Sequence, residues 1–257
     1  MNEVIRQLAA RRSVRAFEDR DIPGEVRAAI LEAAAQAPTA GNQQLYTILD
    51  VTDPQLKARL AETCDHQPFI AQAPMVLIFL ADVCKWLDAY REAGCEPRAP
   101  GAGDVMLAAS DAAIAAQNAV TAAWSLGVGS CYIGDVMERC EEHREMLNLP
   151  PHVFPAAMLV LGYPTERQAR RPKPERFNMA DIVCENVYRR KDGPALREMF
   201  AGRCALRGYD AWMDAFCRRK YNSDFSREMT RSVEAYLRDY GLVRAEDGGE
   251  DGAPGAR

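Results

Sequence analysis

The sequence predicts an α+β or three-layer α/β chain in which helices cover a central sheet. Three observations carry this. Strand-like and helix-like stretches alternate over residues 1–190, Ala73–Ala81 is a continuous apolar run, and residues 194–240 read as two or three helices. An unbroken apolar run of that length fits a strand covered on both faces. The organisation that follows is a core over 1–190 and a helical extension over 191–244. The acidic, glycine-rich end over 245–257 is expected to be disordered, because it has too few apolar residues to order itself.

Residues 2–11 read as a short helix. Pro23 sits in the first turn of a second helix running through Ala37, with Val26, Ile30, Leu31 and Ala34 as its apolar stripe. Pro38 ends it, since proline disfavours helix in the residue before it. Thr39–Asn42 is a tight loop, Tyr46–Val51 is rich in β-favouring residues, and Pro54 opens a helix to about Thr63. After the apolar strand, 82–94 predicts a helix carrying Trp86, Leu87 and Tyr90, and 96–103 a mobile loop. An alanine-rich helix spans about 104–126. Small residues around its circumference let it bury against the sheet on one side and another subunit on the other. Gly127–Gly134 begins as a turn and becomes a short strand, 136–146 is a helix, and Ala156–Leu161 is a buried strand that Gly162–Pro164 stops. Arg167–Pro174 reads as basic and extended, and Asp181–Val187 as an edge strand. Gly208 and Tyr221–Ser223 separate the later helices.

A chain of 257 residues can bury a substantial core. Its 32 lysines and arginines against 37 acidic residues, a net charge of −5, exclude a general nucleic-acid binder but leave room for a local basic pocket. The eight cysteines show no C-x-x-C spacing, and none stands at zinc-knuckle distance from His66, His143 or His152, so a structural metal is not expected. Val105–Gly127 is the most apolar long stretch. Ser110, Asp111, Gln117, Asn118 and Thr121 within it favour a buried helix over a membrane span. The opening Met-Asn-Glu-Val-Ile-Arg reads as a helix start rather than a targeting segment, so the expected compartment is the cytoplasm.

Three constellations could carry chemistry. Arg11, Arg12, Ser13 and Arg15 place guanidinium forks and a hydroxyl just after a helix, which suits an oxyanion clamp and equally suits a solvated basic helix end. Pro38–Gln44 offers small residues and amides, fit for a heterocycle edge or for an ordinary turn. Leu126–Gly134 is glycine-rich, but it follows a helix and lacks the G-x-G-x-x-G spacing, so it is not a dinucleotide fingerprint.

Five landmarks then occur in one order: Arg11–Phe17; Ala37–Gln43; Gln67–Pro74 leading into a strand; Ile114–Asn118 followed by Leu126–Gly134; and Leu161–Pro164. Through them residues 1–190 resemble the nitroreductase family of FMN proteins. The resemblance implies a three-layer α/β/α fold with a central mixed, mostly antiparallel sheet and a long core and interface helix. It also implies a helical C-terminal extension packed on a homodimer with FMN at the subunit interface. It assigns Arg11, Arg12, Ser13 and Arg176, with Lys173 assisting, to the FMN phosphate, and Arg15 and Gln67 to the ribityl chain and pyrimidine edge. Pro38, Thr39, Ala40 and Asn42 would contact the flavin from the partner subunit, and the Ile133–Gly134 backbone would approach flavin N5. The flavin is the reactive group and no side chain is implied as catalytic. A hydride from NADH or NADPH would pass to a nitroaromatic, quinone or related small acceptor by ping-pong chemistry. No NADPH-selecting cluster stands out. Two further readings keep the flavin: different redox chemistry (dehalogenation, ene reduction, flavin cleavage) or a non-catalytic flavin-binding module.

Other residues carry open alternatives. Cys131 is a packed core thiol or a redox group, and His66 a surface histidine or a proton donor. Trp86, Tyr90 and 95–103 either shape a substrate site or pack as a cap. Trp212, Phe216, Tyr221 and Phe225 recur near helical spacing and read as packing.

Overall fold

A computed structural model describes residues 2–242; the end over 245–257 lies outside them. Helices α1 (Glu3–Ala10) and α2 (Gly24–Ala35) precede strand β1 (Tyr46–Asp50), and α3 (Pro54–Thr63) and the short α4 (Phe69–Gln72) lead to β2 (Met75–Asp82). Helices α5 (Cys84–Glu92) and α6 (Ala102–Ser125) lead to β3 (Gly129–Ile133), and α7 (Cys140–Leu147) to β4 (Val153–Gly162). Then come α8 (Glu166–Ala169), α9 (Met179–Ile182), α10 (Gly193–Met199), α11 (Ala201–Cys204), α12 (Tyr209–Lys220) and α13 (Asp224–Leu237).

The starts follow local chemistry. Asn2 accepts the Ile5 amide at 3.0 Å, and Asp53 accepts that of Gln55 at 2.9 Å ahead of Pro54. The Asp104 carboxylate accepts the Gly101 amide at 2.8 Å and so starts α6 slightly before the predicted position. The helix expected from 136 begins only at Cys140, because Arg139 adopts a left-handed φ of 50°.

Four strands form one sheet in the order β1-β2-β4-β3, and all three ladders are antiparallel. The parallel pairing among the described residues is a single bridge between Ser13 and Ser130, outside the ladders. Alternation along β2 explains its unbroken apolar sequence. Met75, Leu77 and Phe79 face one core with α2 and α6, while Val76, Ile78 and Leu80 face a second core with α3 and α4. Cross-strand partners such as Met75–Leu161 and Ile78–Met158 share a face, so the register buries both sides at once. Helices thus cover both faces of an antiparallel sheet.

The described chain forms two compact units, 2–170 with 229–242, and 171–228. This division differs from a boundary near 190. The last helix returns to the first unit because Tyr236 and Tyr240 bury there, with Phe154 edge-on to the Tyr236 ring at 5.1 Å and the Tyr240 hydroxyl on His152 O at 2.9 Å. The edge strand expected over Asp181–Val187 is absent. Its start lies in α9, Val183 and Val187 are exposed, and the second unit has no strand among the described residues to pair with. The stretch Arg167–Pro174 opens inside α8, where the Thr165 side chain caps the Gln168 amide.

Two glycines matter by position. A Cβ on Gly129 would sit 2.5 Å from Val14 Cγ2, and one on Gly162 would sit 2.6 Å from Phe17 Cδ1 and 2.8 Å from Pro74 Cδ. Both glycines admit the N-terminal segment against the sheet. Gly162→Ala should lower stability by about 1–3 kcal/mol, the usual cost of overpacking. A denaturation midpoint equal to wild type would count against this close approach.

Candidate functional site

The segment after α1 runs across the ends of β3 and β4 as a strap. The Val14 amide donates to Ser130 O at 3.0 Å, that of Glu18 to Tyr163 O at 2.8 Å, and that of Thr165 to Ala16 O at 3.2 Å. Gln168, itself buried, accepts from the Arg15 amide at 3.3 Å and donates to Ser13 O at 3.4 Å. With Val14 pointing into the core, Ser13 and Arg15 fall on the opposite side of the strap.

Three of the predicted phosphate and ribityl side chains act on one thiol. Burial pushes Cys131 upward, while Arg15, Ser13 and Arg11 pull it back down. Arg11 has a buried guanidinium nitrogen, Nη1, with no hydrogen-bond partner, in a small recess walled by Gln7, Leu8, Thr121 and Trp124. A buried unpartnered guanidinium nitrogen is costly, and an oxyanion is its natural complement. Arg12 turns elsewhere, donating to Ala169 O at 2.9 Å and Ala10 O at 3.3 Å. Lys173 and Arg176 belong to the second unit, the former half-buried and the latter exposed, and their phosphate role stays what the resemblance implies.

The loop after α2 is held by a residue that sequence reasoning did not single out. Asp111 of α6 is buried, and its carboxylate accepts the Ala40 amide at 3.0 Å and the Leu45 amide at 3.2 Å. Thr39 Oγ1 accepts the Gln44 amide at 3.2 Å, and Gly41, Asn42 and Gln44 take left-handed φ values of 57°, 55° and 50°. Pro38 and Asn42 are exposed and Ala40 half-buried, so this loop presents small groups and polar backbone outward. The signal for Asp111 was present: a carboxylate on the apolar stripe of an alanine helix needs donors.

Gln67 is half-buried and donates to Cys64 O at 2.9 Å, just after the left-handed pair Asp65 and His66. Burial pushes Cys64 up to about 12, as befits an inert core thiol. Ile133 ends β3 buried, and exposed Gly134 opens a 3-10 turn at Asp135–Met137. His143 lies beneath this turn, fully buried and hydrogen-bonded through both ring nitrogens. Trp86 and Tyr90 line a cleft of about 430 Å³ with Gln43, Leu87, Arg98 and Leu107. The Trp86 indole N–H donates to Gln43 O at 2.7 Å, tying this cleft to the 38–44 loop.

Burial holds the His143 imidazole below its ordinary 6.5. The unfolded chain therefore takes up this proton at a higher pH than the folded chain does. The stability that neutral His143 contributes is complete above pH 6.5 and falls as the pH drops below that value. The slope from this one group is at most about 1.4 kcal/mol per pH unit. His143→Gln, which does not titrate, should show a flatter urea midpoint between pH 6.5 and about 5 than the wild type. Parallel profiles would reject the assignment.

The nitroreductase family model matches residues 8–163, from the last turn of α1 to the end of β4. The chain is 33% identical to the NAD(P)H FMN reductase of Bacillus subtilis over 239 residues, 92% of this chain and 91% of that one. It is 32% identical over 221 residues to an oxygen-insensitive NADPH nitroreductase of Salmonella typhimurium, covering 83% and 89% of the two chains. The solved nitroreductase NfrA1 of B. subtilis superposes with a TM-score of 0.78 at 25% identity, over 91% of this chain and 98% of that one. The family model spans the sheet and the strap, and the chain belongs to the nitroreductase family of oxidoreductases.

Proposed function

We propose that the protein is a homodimeric, FMN-dependent oxidoreductase that takes a hydride from NADH or NADPH and passes electrons to a small planar acceptor. The observation that carries this reading is Arg11. Its Nη1 is buried without a hydrogen-bond partner, and with Ser13 and Arg15 it would make up a donor set suited to a phosphate monoester. Two relatives named for FMN reduction or NADPH-linked nitroreduction support it.

FMN, when bound, would supply the two-electron chemistry, accepting the hydride and returning electrons to the acceptor. The chain's own residues bind, orient and exclude water. Arg11 and Ser13 would hold the phosphate. Arg12, already anchored on two carbonyls, would add positive charge with little further loss of side-chain freedom. Arg15 and Gln67 would take the ribityl chain and pyrimidine edge, where positive charge favours the more anionic reduced form. Pro38, Thr39, Ala40 and Asn42 would present the small-residue loop to the partner subunit's flavin. The cleft beside Trp86 has a volume suited to a small-molecule acceptor.

The dimer reading rests on exposed apolar faces. Helix α1 buries no residue and exposes Val4, Ile5 and Leu8, while α6 buries one face and exposes Met106 (67%), Leu107 (48%) and Ile114 (40%) on the other. Exposed large apolar side chains on two helices suit a docking face, and a second copy of the chain is the occupant in this reading.

Three measurements test these points. The purified protein should be yellow, and anaerobic addition of NADH or NADPH should bleach it. Replacing both Arg11 and Arg12 with Ala should weaken FMN binding at least about tenfold, or ~1.4 kcal/mol. Unchanged FMN retention after dialysis would refute the phosphate assignment. Met106→Glu with Ile114→Glu should convert a sedimenting dimer to monomer; a dimer indistinguishable from wild type would move the interface elsewhere.

A further inference from the structure

Residues 134–140 leave β3 as irregular backbone. They comprise Gly134, the 3-10 turn Asp135–Met137, and Arg139 at a φ of 50°. Buried backbone outside a helix or ladder needs partners from side chains or water. Here side chains supply them. His143 Nδ1 donates to Val136 O at 2.9 Å. Ser232 Oγ donates to Met137 O at 2.7 Å and accepts the Cys140 amide at 2.9 Å. Both residues are fully buried. Since a carbonyl can only accept, the His143 proton sits on Nδ1, and Nε2 accepts from Thr63 Oγ1 at 2.8 Å. Thr63 is the last residue of α3, four before Gln67. One imidazole therefore links the turn after Gly134 to the turn before Gln67, and one hydroxyl links the first of these turns to α13.

We propose that His143 and Ser232 are positioning residues for the cofactor edge. They set the backbone at Ile133–Gly134, and His143 acting through Thr63 also sets Gln67, so that two contacts on one ring system keep a fixed spacing. This rests on the flavin reading above. A donor preorganised toward a site where charge develops acts through its placement, and loosening its support weakens the preference for the reduced form. The C-terminal helix thereby has a stated task, holding a turn that is distant from it in sequence.

Thr63→Val and Ser232→Ala each delete one hydroxyl, and Thr63→Ser restores it. The FMN-loaded proteins are compared in flavin midpoint potential, thermal midpoint and amide hydrogen exchange over 133–138. Thr63→Val and Ser232→Ala should exchange faster there. Each should also shift the ratio of oxidised to reduced FMN affinity at least about threefold, which is ~14 mV for a two-electron couple, while Thr63→Ser stays at wild type. Should either fail to fold, His143→Asn, which keeps a donor for Val136 O and loses the acceptor for Thr63, is read the same way. Variants that lose thermal stability alone, with wild-type potential and exchange, overturn the proposal. Wild-type protein that takes up no FMN overturns the flavin reading first, before any variant is measured, and the proposal falls with it.

Discussion

The strap of residues 13–17 across the ends of β3 and β4 is the contact on which the rest of the site depends. It is fixed by backbone hydrogen bonds to Ser130, Tyr163 and Thr165, and by the packing of Val14 and Phe17 into the spaces left by Gly129 and Gly162. Each bond contributes only about 0.5–1.5 kcal/mol. Their effect is directional. With Val14 committed to the core, the side chains at 13 and 15 must point the other way, while Arg11 keeps a buried guanidinium nitrogen just before the strap. The arginine cluster is thus a consequence of how the sheet ends, and a flexible basic tail could not present it in one geometry.

That dependence shows what was legible in the sequence. The double-faced core strand, the long α6 and the helix starts at Pro23 and Pro54 were legible because each is a local matter of period, proline and capping. The glycines of 127–134 and 162 were legible only as turn residues. For Gly129 and Gly162 the reason is a side chain more than a hundred positions away, Val14 and Phe17, which no local pattern reports. The edge strand over 181–187 fails for a related reason. Its residues favour β structure, but a strand needs a ladder partner, and the unit over 171–228 offers none among the described residues. Arg11, Ser13 and Arg15 were identified by residue type and all three act on the Cys131 thiol, whereas Arg12, adjacent in sequence, donates to Ala169 O.

Buried polar side chains do most of the remaining ordering. Asp111, His143, Ser232 and Gln168 lie in helices, and each reaches out to satisfy backbone groups of a neighbouring irregular segment. Two orphan amides at 40 and 45 share one carboxylate, so a six-residue span of loop is held by a single side chain of α6. Helix α6 consequently works in three directions at once. It packs alanines on the sheet, anchors the 38–44 loop through Asp111, and leaves Met106, Leu107 and Ile114 facing outward. A shift of this helix would move loop and core together, which is the sense in which the site is built on a rigid element.

On the proposed function, the same economy bears on acceptor choice. The cleft beside Trp86 is walled by indole, phenol and aliphatic groups together with Gln43, Glu96 and the Arg98–Asp104 pair, and two of its donors are engaged within it: the indole N–H on Gln43 O, and the Arg98 guanidinium in two bonds to Asp104. That pairing holds the Asp104 carboxyl below its ordinary range, so it persists as an ion pair through neutral pH. A pocket that keeps its donors on its own residues discriminates by shape and apolar contact, where a methylene counts for only about 1–3 kcal/mol, and has little leverage over polar detail. On the proposed function, such a cleft would favour breadth toward flat acceptors. Releasing Arg98 from Asp104 would add a guanidinium able to reward one acceptor's oxygen over another's.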